Sequence, residues 1–117
     1  MQLTACLWGL PGDPTANARA MRELGYDTVD VDPGFAALDP DPVMPITCLA
    51  AGHCLPEGVT YYADNENVRA RAVARVAAGL REAAAIDCPI AYIAAPDPGT
   101  EPRAHFRESV AHLAATA

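Results

Sequence analysis

The segment Gly25-Tyr26-Asp27-Thr28-Val29-Asp30-Val31-Asp32-Pro33 constrains this chain more than any other stretch. It alternates strictly, with Thr28, Asp30 and Asp32 on one side and Val29 and Val31 on the other. Successive side chains of a strand point to opposite faces, so these residues predict a short strand with one apolar and one acidic face. Acids are depleted in strand interiors. A row of them ending at Pro33 therefore suggests the mouth of a site. Gly25 is the residue type that commonly closes a helix, so the strand is expected to follow one.

The rest of the chain keeps the same rhythm. Leu3 to Leu10 is a nearly continuous apolar run, as expected of a strand buried on both faces of a parallel sheet. Pro11-Gly12 breaks it. Asp13 then predicts a helix cap, with Pro14 at the first helical position, where its missing N–H costs nothing. The helix is expected to bury Ala16, Ala20, Met21 and Leu24 and to turn Arg19, Arg22 and Glu23 to water. Pro33 to Pro42 reads as a loop with at most one helical turn, around Phe35-Ala36-Ala37-Leu38. Val43 to Ala50 reads as a third strand, with Pro45 near its start, where a lost N–H is tolerated.

Ala51 to Ala63 reads as a long loop. Asp64 is expected to cap the longest helix, which runs to about Ile86. Val68, Ala72, Val76, Leu80 and Ala83 lie on its inner side, and Arg69, Arg71, Arg75 and Arg81 largely outside. Asp87-Cys88-Pro89 stops it. Ile90 to Ala95 predicts a fourth strand, Asp97 to Pro102 a loop, and Arg103 to Ala115 a last helix packing through Phe106, Val110 and Leu113. The order β-α-β-link-β-α-β-α predicts a single α/β domain over residues 1–117. Its parallel sheet has four strands with alternating helices and right-handed crossovers.

Composition narrows the function classes. A chain of 117 residues supports one domain with a modest core. Lysine is absent, eight arginines face fifteen acids, and the net charge is -7, which argues against nucleic-acid backbones and acidic membranes as partners. No apolar run approaches the roughly 20 residues that span a bilayer. Met1 to Thr4 carries no basic leader region, so a cytoplasmic protein is expected. Cys6, Cys48, Cys54 and Cys88 form no CxxC pair. All four are expected to be reduced, Cys6 and Cys48 as small hydrophobes inside apolar runs and Cys54 as the one placed to react.

Three motifs then occur in order: Leu24-Gly25-Tyr26-Asp27-Thr28-Val29-Asp30-Val31 at a helix-to-strand junction; Leu55-Pro56-Glu57-Gly58 followed by Asp64 and Val68-Arg69; and a long helix from Ala70 to Ile86 leading into Pro89-Ile90-Ala91-Tyr92-Ile93. Together they resemble the N-terminal half of the sugar phosphate isomerase/epimerase family, the xylose isomerase-like TIM barrels. Asp30 stands where that family usually has Glu. A full barrel needs eight βα units and typically ~200 residues or more, so the resemblance implies half of a (β/α)8 barrel, truncated or self-standing. It implies aldose–ketose isomerisation or epimerisation of a small sugar or polyol in carbohydrate metabolism, by proton abstraction next to a carbonyl. The family's divalent metal (Mn or Mg) is held by Glu, Asp, His and Glu of the second half. No cofactor or metal ligand is therefore assigned to this chain, and the half alone is expected to have little or no activity.

In parallel α/β folds, ligands bind at the C-terminal ends of the strands. Trp8, Asp30, Asp32, His53, Glu57 and Asp97 fall at such ends. Asp30 and His53 are the candidate catalytic residues, and Trp8, Asp32 and Glu57 the candidate substrate contacts. Two acids on one strand face can share a cation or perturb each other's protonation. Each residue also has an ordinary structural role open to it. Asp32 can cap the turn into Pro33-Gly34, Asp30 can bond backbone, His53 can be a surface-loop side chain, and Trp8 can be core. His53, Cys54 and Glu57 do not have the spacing of a zinc site.

Two further arrangements remain open: a half-barrel that pairs its open edges with a second copy as a homodimer, and a non-catalytic α/β binding module, flavodoxin-like in outline, with both sheet faces covered.

Overall fold

A computed structural model describes residues 1–53, 55–95, 99 and 103–116. The chain runs β1 (Thr4–Cys6), α1 (Pro14–Glu23), β2 (Thr28–Val31), α2 (Phe35–Leu38), β3 (Ile46–Ala50), α3 (Glu66–Ala85), β4 (Ile90–Tyr92) and α4 (Arg103–Thr116). The four strands form one parallel sheet in the order β1-β2-β3-β4. This is the α/β architecture read from the alternation of elements.

Local chemistry sets most boundaries. Asp13 Oδ2 accepts from Ala16 N–H at 2.9 Å, with Pro14 in the first turn of α1. Gly25, at φ 92°, follows the last turn. Gly25 N–H bonds Arg22 O and Tyr26 N–H bonds Met21 O, the paired closure of a Schellman motif. The far end of α3 closes in the same way through Asp87, a non-glycine residue at φ 53°. Its N–H bonds Ala84 O, and Cys88 N–H bonds Ala83 O. The single turn of α2 is the one helical turn that the proline-punctuated link allowed.

The core lies on one face of the sheet. Ala5 and Leu7 of the first strand segment, Val29 and Val31 of β2, and Leu49 of β3 pack against Ala18, Phe35, Ala72, Val76, Ala83 and Leu113 from the helices. The α3–β3 approach is close because residue 79 is glycine. A Cβ there would sit 3.2 Å from Cα, Cβ and O of Ala51.

The opposite face carries the alternate residues: Thr4 and Cys6, Thr28 and Asp30, Cys48, Ile90 and Tyr92. At its N-terminal end, Thr47 Oγ1 donates to Thr28 Oγ1 at 3.0 Å, and Thr28 and Thr4 hydroxyls bond at 2.8 Å. Cys6 is exposed and Ile90 is 53% exposed, so the described residues leave much of this face open. Among the described residues this is not the sheet covered on both faces of the flavodoxin-like alternative.

Several expectations are corrected. The first strand is three residues long and is buried on one face only, with Ala5 inward and Thr4 and Cys6 exposed. Cys6 is therefore an exposed thiol rather than a core hydrophobe, and Cys48 is partly buried. In α1 the buried residue is Ala18, with Met21 partly buried. Ala16, Ala20 and Leu24 face water, because α1 docks with the stripe through Ala18 and Met21 turned inward. The cap of α3 is Asn65, whose Oδ1 accepts from Asn67 and Val68 N–H, not Asp64. Arg69 is not on a solvated row: its guanidinium donates to the carbonyls of Ala63 and Asp64. The expectations for Cys54 and Asp97 lie outside the described residues.

Candidate functional site at the strand C-termini

Parallel strands aim their C-terminal ends the same way, so side chains just past β1, β2 and β3 gather at one rim. Trp8, Asp32 and His53 meet there. His53 Nδ1 lies 2.7 Å from Asp32 Oδ1. An ionised carboxylate only accepts hydrogen bonds, so this contact puts a proton on Nδ1 and, in the neutral ring, leaves Nε2 as the acceptor. The His53 ring packs on the Trp8 indole with centroids 4.5 Å apart and planes tilted by 41°. The Asp32 side chain thus holds His53, while the Gly34 N–H of the turn goes to Glu82, and Trp8 is a rim residue, 37% exposed, rather than core.

Asp30 sits deeper on the open face, with Cys6 and Cys48 at matching register on either side. Tyr92 donates its hydroxyl proton to Asp30 Oδ2 at 2.7 Å and accepts from Trp8 Nε1–H at 3.0 Å. Trp8 follows β1 and Tyr92 ends β4, the two edges of the sheet. Their contact means the sheet curls until side chains from opposite edges touch across its concave face. The other Asp30 oxygen, Oδ1, is buried and has no hydrogen-bond partner among the described residues.

This packing perturbs two acids. Burial, and next the bond to Asp30, push the Tyr92 hydroxyl well above the usual tyrosine range, although the Trp8 bond pulls the other way. Burial pushes the Cys6 thiol up, reinforced by the charges of Asp30 and Asp32 and opposed by a backbone bond from Gly9. Tyr92 therefore holds its proton and acts as a fixed donor, and Cys6 is not set up as a thiolate nucleophile.

Glu57 is exposed in the turn between Pro56 and Gly58, and no contact among the described residues joins it to this cluster. Residues outside the candidate set proved to be part of the arrangement. Tyr92 is one; its signal was an aromatic with a polar tip at the end of the fourth strand, on the same face as Asp30. Glu82 is another. Both its carboxylate oxygens accept from Gly34 N–H, at 2.7 and 2.9 Å, and tie α3 to the turn after Asp32.

No three His, Cys, Asp or Glu side chains converge as a metal-binding group among the described residues. Among the described residues, no helix is long and apolar enough to cross a membrane. No family model, curated protein or solved structure matches the chain.

Proposed function

We propose that this chain forms one side of a sugar isomerase-like barrel mouth that moves a proton next to a carbonyl. The observation that carries the reading is the Asp32–His53 pair, 2.7 Å apart and walled by Trp8, at the C-terminal rim of a sequentially ordered parallel sheet. Asp32 holds the imidazole by Nδ1–H, and Nε2 takes the proton from the carbon beside the carbonyl. Returning that proton to the former carbonyl carbon, while the hydroxyl proton passes from the neighbouring oxygen to the old carbonyl oxygen across the enediolate, converts an aldose into a ketose. Tyr92 and Trp8 keep Asp30 in place beneath, as a supporting acid on the barrel axis. The curl that brings both sheet edges into contact through Trp8 and Tyr92 supports half-barrel geometry. Four further strands would complete the mouth and carry the group that steadies the oxyanion.

The experiment follows proton exchange in D2O, by NMR, at the carbon next to the carbonyl of triose to hexose substrates, with and without Mn2+. Exchange reports the abstraction step without requiring full turnover. Exchange that His53→Ala abolishes supports the reading. No exchange with any substrate, or exchange that His53→Ala leaves unchanged, overturns it.

A second reading draws on the two open edges. Among the described residues, β1 pairs only with β2 and β4 only with β3, while Leu3 and Ile90 stay 42% and 53% exposed. A second copy could pair β4 with β1 and complete eight strands. Size-exclusion chromatography with light scattering separates a dimer, which this reading requires, from a monomer or an aggregate.

A further inference from the structure

We infer that the hollow between the β1–α1 loop and the β2–α2 link is a binding site for a small amine, an ammonium head on an aromatic or aliphatic body. The inference does not rest on the barrel reading. The hollow measures about 330 Å³. Leu7, Leu10, Phe35 and Leu38 wall it with apolar surface, Trp8 closes one side, and Asp32 is the only ionisable residue among the described residues that line it.

Three observations select the ligand. The first is apolar surface left in water around one concavity. Trp8 and Leu10 are each 37% exposed and Leu38 is 70% exposed, and all three border this hollow. A domain this size gains by burying such side chains unless a ligand covers them. The second is charge. An anion entering here meets the Asp32 carboxylate and no cation from the lining, in a chain of net charge -7 that contains no lysine. A cation meets that carboxylate and the Trp8 indole, whose π-system attracts positive charge through its quadrupole. Asp32 uses Oδ1 for His53, leaving Oδ2 to receive an ammonium.

The third observation is order. Trp8 is held before any ligand arrives, by its Nε1 bond to Tyr92 and by the His53 ring against it. A wall already held in its bound orientation loses little entropy on binding. Size agrees as well. A cavity of roughly 150 Å³ holds benzene, so this hollow has room for a ring and a short ammonium arm. It lies at the low end of the roughly 300–1,000 Å³ of small-molecule sites.

The test uses the single tryptophan of the chain, which lines the hollow. Trp8 emission is titrated with phenethylamine, with 2-phenylethanol as the neutral counterpart, and with phenylacetate as the anion. The expected result is a saturable change with the amine, at least about tenfold tighter than with the alcohol, and no saturation with the carboxylate. Asp32→Asn should abolish the preference for the amine. Leu38→Arg, at an exposed position, should weaken the amine about tenfold while leaving the far-UV circular dichroism unchanged. Equal affinity for amine and alcohol overturns the proposal, as does saturable binding of the carboxylate or no saturation by the amine. Unchanged amine binding in Leu38→Arg also overturns it. The comparison of ligands on the unaltered protein decides even if Asp32→Asn does not fold. Failure of the isotope-exchange assay leaves these titrations intact, so the two readings fail separately.

Discussion

Replacing Tyr92 with Phe removes one oxygen and two hydrogen bonds. The larger loss is at Asp30. Its Oδ1 already lies buried without a partner among the described residues, so Oδ2 and the 2.7 Å bond from Tyr92 carry the side-chain satisfaction of the carboxylate. A hydrogen bond to a charged group is worth about 1.5–3 kcal/mol, and a buried group left unsatisfied costs a similar amount. The open sheet face works against the full figure, because water can reach the space that the hydroxyl leaves. The Trp8 bond is exposed and adds only a few tenths. The expected destabilisation is therefore about 1.5 kcal/mol. For a chain of 117 residues this is a fall in Tm of about 6 °C.

Urea denaturation followed by circular dichroism measures the loss directly. The midpoint should fall while the m-value stays constant, since the variant exposes the same surface on unfolding. A second readout is local: the Trp8 emission should change in the folded state, because its Nε1 loses an acceptor. The double variant Tyr92→Phe/Asp30→Asn tests the coupling, and its cost should fall short of the sum of the single costs by about 0.5 kcal/mol or more. A Tyr92→Phe protein within about 0.5 kcal/mol of the parent, with additive single costs, would refute the claim that Tyr92 satisfies Asp30.

Gly79→Ala improves helix propensity by ~1 kcal/mol but drives a methyl to 3.2 Å from the Ala51 backbone. Overpacking of ~1–3 kcal/mol should win, and the urea midpoint should fall. Asn65→Ala should cost about 1 kcal/mol through loss of the α3 cap, whereas Asp64→Ala should change the same melt by no more than ~0.5 kcal/mol. The alkaline limb follows from the tyrosines: burial raises both Tyr61 and Tyr92 above the ordinary value of 10.0, so the folded state keeps protons that the unfolded chain releases. Their contribution is fully present below about pH 10 and is lost as pH rises through the folded values, so Tm should drop above about pH 10, and less steeply in Tyr92→Phe.

The succession of elements was legible in the sequence because local chemistry sets it. Asp13 with Pro14 starts α1, Gly25 ends it, and the prolines between Pro33 and Pro42 allow a single turn. The alternation of Thr28, Asp30 and Asp32 with Val29 and Val31 also told which residues share a face, since side-chain direction in a strand repeats every second residue. Asn65 and Asp64 show the limit of that logic. Both side chains can accept from a helix N-terminus, and only the register at which α3 docks decides between them. The inner stripe of α1 failed in the same way: its alanines are nearly equivalent in sequence, and it is Ala18 that the fold buries.

Composition and order alone pointed to an α/β arrangement of four parallel strands with acids at the strand ends. The tertiary structure decided what those acids touch. Asp32 and His53 are 21 residues apart, and Asp30 and Tyr92 are 62 apart. Such pairs depend on strand order, register and the curl of the sheet, which arise from packing the helices on one face. No local pattern encodes that curl, and it is the curl that lets Trp8 and Tyr92 meet from opposite edges above Asp30.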